Sequence, residues 1–82
     1  MALFYFHTQT DTRFTDIDGV ECVDRKAARL EAIRTCGEMV KDSPAGFWGS
    51  RPWSVTVTDV RGLVLYEIQM DGFTSPATQG EA

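Results

Sequence analysis

The side chains best suited to chemistry lie near the start of this sequence. His7 is the only histidine, and imidazole is the one side chain that exchanges protons near neutrality without help from its surroundings. Asp11, Asp16, Asp18 and Glu21 follow closely, and carboxylates grouped this way can share a proton or hold a hard cation. Cys22 and Cys36 add two soft ligands. Farther along, Phe47, Trp48, Arg51 and Trp53 gather the residue types that dominate binding hot spots, between glycines and prolines that would let a loop present them.

Each of these groups also has a plainer reading. A general base needs a nucleophile or a cleft, and no motif beside His7 supplies one. We therefore expect a strand histidine whose ring bonds a neighbouring strand's carboxylate or backbone. Asp16-x-Asp18-Gly19 matches the start of a calcium loop but lacks its later oxygen ligands and closing glutamate. These carboxylates read as turn formers on a solvated edge. A structural zinc site takes four ligands, usually with a close cysteine pair, whereas Cys22, Cys36 and His7 are three and well separated. No bound metal and no cofactor are expected. No Gly-x-Ser-x-Gly, phosphate-binding loop, dinucleotide glycine pattern or His-Glu-x-x-His is present, so no enzymatic activity is expected either. For the aromatic group two readings stand. Phe47, Trp48, Arg51 and Trp53, with Tyr5 on the adjoining sheet, form an interaction surface, or Trp48 and Trp53 fold back to plug a small core.

The elements that must position these residues can be traced from periodicity. Residues 3–8 alternate as a strand, Leu3, Tyr5 and His7 against Phe4, Phe6 and Thr8. Residues 13–17 can return as a second strand, Asp18-Gly19 is a turn, and residues 20–23 form a short extended piece. A helix is predicted over residues 24–41, with Asp24 as its N-cap and Ser43-Pro44 as its end. Ala28, Ala32, Ile33, Cys36, Met39 and Val40 share its apolar arc, with Arg29 intruding and running its stem along it. Residues 42–52, rich in Pro and Gly, are predicted to be an irregular loop. A strand over 53–58 alternates Trp53, Val55 and Val57 against Ser54, Thr56 and Thr58. A type I turn closed by Gly62 joins it to a partner strand over 63–70. The fold class is α+β: a small antiparallel sheet in ββαββ order with one helix on one face.

Eighty-two residues with 43% hydrophobic and 24% charged content make one ordinary globular domain, expected over residues 1–72 with a flexible tail over 73–82. Net charge of −4 disfavours direct binding to nucleic acid or to an anionic membrane surface. Two cysteines suit reduced thiols in a cytoplasmic protein, and the apolar run at residues 1–6 lacks the basic flank of a signal peptide.

Tyr5-Phe6-His7, Asp16-x-x-Gly19-Val20-Glu21, Ala27-Ala28-Arg29-x-Glu31-Ala32 and Val57-Thr58-Asp59-x-x-Gly62-x-Val64-Leu65 occur in that order. Together they resemble a family of short bacterial proteins, domain of unknown function 6894, over about residues 3–70. The resemblance implies the fold and carries no chemistry. It marks His7, Asp16, Gly19, Glu21, Asp59 and Gly62 as matching positions whose role is to be found. The chain departs from the pattern at its tryptophan-containing loop and at Cys22. Residues 3–41 are more distantly similar to HicB-type antitoxins, which pair N-terminal strands with an Ala- and Glu-rich helix. The functional expectation is a non-catalytic protein-interaction module that self-associates, most simply as a two-fold homodimer. The alternative is an antitoxin-like module acting with a nucleic-acid-associated partner.

Overall fold

The computed structural model describes residues 1–78 and residue 80. Along the chain run strands β1 (Ala2–Gln9), β2 (Arg13–Phe14) and β3 (Val20–Cys22). Helices α1 (Arg25–Asp42) and α2 (Pro44–Ser50) follow, then strands β4 (Trp53–Thr58) and β5 (Val64–Met70). All pairings are antiparallel, and the sheet order is β2-β1-β4-β5, with β3 also on β1.

Alternation sorts the side chains as a pleated strand requires. Phe4 and Phe6 of β1 are 4% and 8% exposed, and Val55 and Val57 of β4 are fully buried on the same face. The helix α1 packs there. Asp24 caps it, its carboxylate accepting the Ala27 N–H at 2.8 Å, and Ser43 ends it with its N–H bonded to the Met39 carbonyl. Ala28, Ala32 and Cys36, one turn apart in succession, are completely buried. Such small residues let the helix axis come close to the sheet. Ile33 was expected in this arc but is 47% exposed. It stands about 100° around the helix from Ala32, and a helix seated on alanines presents only a narrow stripe to its sheet. The Arg29 guanidinium lies over the Tyr66 ring of β5, 5.5 Å from its centroid.

Three expectations need correction within an α+β class that holds. The order is βββααββ, since residues 20–22 pair with β1 as a strand of their own. The second strand stops at Phe14 because residues 15–19 leave the sheet. Residues 44–50 form a helix where glycine and proline suggested an irregular loop. Pro44 occupies the first turn, where its missing N–H has no intrahelical partner to lose and its φ is already helical. Seven residues are too few to hold a helix unaided. Phe47 anchors this one, its ring meeting Trp53 edge-on at 5.6 Å and 89°.

In the tail, Pro76–Thr78 form a 3-10 turn. The expectation of flexibility extended to residues 79, 81 and 82, which lie outside the described residues. Among the described residues, no helix is long and apolar enough to cross a membrane.

Candidate functional site

β2 and β3 pair with the two ends of β1, opposite Thr8–Gln9 and Ala2–Phe4, and between them that edge of β1 has no strand partner among the described residues. His7 and Asp16 fill that gap. The Phe6 N–H points into it and donates to Asp16 Oδ2 at 3.1 Å. Asp16 Oδ1 accepts the N–H groups of Asp18 and Gly19, both at 3.1 Å, and so shapes the turn leading to β3. Gly19 takes φ +76°, and a Cβ there would stand 3.1 Å from the Phe4 carbonyl oxygen and 3.0 Å from Leu3. Burial would raise the Asp16 carboxyl, but the N–H groups of Gly19, Phe6 and Asp18, with His7 nearby, hold it below the ordinary carboxylate range.

The Asp16 backbone N–H donates in return to His7 Nδ1 at 3.1 Å. A backbone N–H can only donate, so Nδ1 carries the lone pair and the proton sits on Nε2. That Nε2–H faces the Thr58 hydroxyl oxygen of β4 at 3.0 Å, which accepts it. Both ring nitrogens are thereby committed, one on each side of β1, and neither presents a lone pair to a substrate. His7 lies on a strand, but its ring meets the Asp16 N–H of a loop and a threonine hydroxyl of β4, in place of a neighbouring strand's carboxylate or backbone. Tyr5 stacks parallel to it at 6.4 Å. On the same uncovered face a shallow groove of about 290 Å³ runs past His7, Thr56 and Thr58 to Arg13 and Thr15.

Asp59 and Gly62, two further matching positions, are also explained by backbone. Asp59 Oδ1 accepts the N–H groups of Leu63 and Arg61 at 3.0 and 2.8 Å, and Gly62, at φ +83°, donates to the Asp59 carbonyl. The Leu63 N–H leads in holding the Asp59 carboxyl below its ordinary range, with Arg61 assisting. Glu21 stands exposed on β3 opposite Leu3, Asp18 is exposed, and Asp11 accepts from the Thr10 hydroxyl. Burial pushes both thiols up, that of Cys22 further through Glu31 and Asp24, so they stay protonated in the core.

The aromatic group divides. Trp53 is 4% exposed, and its indole N–H donates to Ser50 Oγ, which donates to the Gly46 carbonyl. Phe47 is half-buried against it. These two close the end of the core. Trp48 is 39% exposed, with the Arg51 guanidinium stacked on its ring at 3.7 Å. Arg51 also donates to the carbonyls of Trp48 and Gly72 and lies 4.0 Å from the Asp71 carboxylate. Gly72 passes so close to Trp48 that an added Cβ would stand 2.8 Å from the indole. Trp48 and Arg51 therefore clasp the chain just beyond β5. Tyr5 is not part of this group, because it lies on the opposite face of the sheet from Trp53.

The outer side of β5 is different. Because the Phe6 N–H turns away from β4, the β1 residues bonded to β4 are Tyr5, His7 and Gln9. Alternation then directs the backbone groups of Trp53, Val55 and Val57 toward β5, where they meet Met70, Ile68 and Tyr66. The N–H and C=O groups of Glu67 and Gln69 point outward, and among the described residues no strand pairs there. An open sheet must leave an edge strand exposed. Which strand forms it follows only from the pairing order.

Comparison with known proteins now bears on this geometry. The family model Domain of unknown function (DUF6894) matches residues 3–71. The chain belongs to that family. The match runs from β1 to Asp71, just past β5, so it takes in the filled gap, the Asp59 turn and the open edge of this DUF6894 chain together. No curated protein and no solved structure matches it.

Proposed function

We propose that this DUF6894 domain is a non-catalytic protein-interaction module that engages its partner along the outer edge of β5. The observation that supports the reading is the backbone of Glu67 and Gln69, which no strand among the described residues pairs, on a strand with one charge, no proline and no lysine. Unguarded edges of this kind pair readily with another chain. Tyr66, Ile68 and Met70 on the same strand are only half-buried against the core, so an added strand would finish their burial. The groups that could have done chemistry are otherwise occupied. Both nitrogens of His7 and both oxygens of Asp16 serve backbone and strand contacts.

A photo-crosslinking residue at position 69, expressed in the native cell, tests the reading. One discrete protein adduct is expected from position 69, with none from position 38 on the outer face of α1. Equal, diffuse labelling from both positions, or none from either, would overturn it.

A further inference from the structure

Resting on that reading, we infer that the partner of the β5 edge is the β5 edge of a second copy, joined antiparallel about a two-fold axis at Ile68. The edge itself selects both occupant and register. Outward backbone groups alternate, so two β5 strands can exchange hydrogen bonds only when Glu67 and Gln69 oppose outward-facing residues of the other copy. Three registers near the strand centre satisfy this. One sets Glu67 against Glu67 of the second copy, and another sets Glu67 against its Asp71 twice over. The first opposes like charges directly across the strand pair, which destabilises it, and the second carries the pairing past Met70, where β5 ends. The third centres on Ile68 and sets each Glu67 against Gln69, an acceptor against an amide donor. Within one chain the Gln69 amide already donates to Glu67 Oε2 at 3.2 Å, so the two side chains have the complementary chemistry and reach.

The same register serves the covered face. It places Ile68 against Ile68 and Tyr66 against Met70, residues left half-buried in the single chain. The hydrogen-bonded pairs are Glu67–Gln69 on either side of the axis, and Ile68–Ile68 is the close, non-bonded pair between them. The two sheets become one, with α1 of both copies on the same side. The bulge where Val57 and Thr58 pair with Tyr66 and Val64 ends the regular part of the edge, so the seam runs from Tyr66 to Met70. A seam this short lies at the small end of protein interfaces, and the expected dissociation constant is on the order of micromolar or weaker.

Sedimentation equilibrium on the full chain and two variants at position 69 tests the register. Gln69→Lys places a cation opposite Glu67 twice per dimer, and Gln69→Glu places a second anion there. Dimerisation should tighten roughly threefold to tenfold in the first and weaken as much in the second, with both changes shrinking in about 1 M salt. An Ile68→Cys chain should oxidise to a disulfide-linked dimer, since the Cα atoms of such a pair stand about 4.5 Å apart. Equal shifts in both charge variants, or no disulfide from position 68, would overturn the register. A wild-type chain monomeric at about 1 mM would overturn self-pairing. A crosslink from position 69 to a different protein would then still uphold the interaction reading, whereas its absence would remove both.

Discussion

At one edge of the sheet β1 loses its strand partner opposite Phe6, and side chains take the partner's place. At the other edge β5 presents the backbone of Glu67 and Gln69 outward, with no strand of the described residues in front of it. Each edge carries a carboxylate, Asp16 at the first and Glu67 at the second, so charge alone does not separate them. Chain path does. Residues 15–19 leave the sheet and turn at Gly19, which folds the short Asp16 side chain back onto the strand it borders. On β5 the strand continues straight, its side chains stand perpendicular to the sheet, and a carboxylate there cannot reach its own edge. An edge is closed by a loop that returns to it, and a regular strand remains open.

The largest expected effect is at the closed edge. Asp16→Ala removes the acceptor for three backbone N–H groups and leaves that of Phe6 facing an empty gap. A loss of about 2–3 kcal/mol in urea-unfolding stability is expected, with the 15–19 segment becoming susceptible to amide exchange. Acid should act in the same direction. The folded Asp16 carboxyl titrates below its ordinary value of 3.8, so its contribution is present above that pH and is lost as pH falls through the folded value. Stability of Asp16→Asn should therefore decline less than wild type on acidification below about pH 4.

Trp48→Ala tests the clasp that ends β5. The indole is partly exposed, so a cost of roughly 1–2 kcal/mol is expected, with amide exchange rising first near Asp71 and Gly72. A much larger loss would make Trp48 a core residue like Trp53, and a weakened dimer with an unchanged melting temperature would return it to the interface.

Gly19→Ala asks whether the return of the loop depends on that backbone. The positive φ and the nearby Phe4 carbonyl predict a cost of about 1–2 kcal/mol by thermal melting.

The smallest effect belongs to the open edge. Glu67→Gln replaces an exposed carboxylate with an amide and should leave monomer stability within about 0.5 kcal/mol by urea titration. A cost comparable to that of Asp16→Ala would erase the distinction between the edges.

Periodicity made much of this molecule legible. The alternation around Phe4, Phe6, Val55 and Val57, the Asp24 cap, the Pro44 stop and the Gly62 turn are local signals, each carried by residues within a few positions of one another. The helix over residues 44–50 was not legible, because its stability comes from Phe47 resting on Trp53 across the break between two elements. The same holds for the division of the aromatic group into Trp53 and Phe47 in the core and Trp48 in a clasp on Gly72.

By itself the sequence determined β1, α1, β4 and β5, the two faces of the sheet and the residues that shape its turns, since these depend on side-chain period and on backbone preferences a few bonds away. Tertiary structure alone decided that His7 and Asp16 would answer each other across a break in strand pairing. It decided too that β5 would stand outermost. Both outcomes depend on which strands lie side by side, and that is set by packing Ala28, Ala32 and Cys36 against a sheet drawn from both ends of the chain.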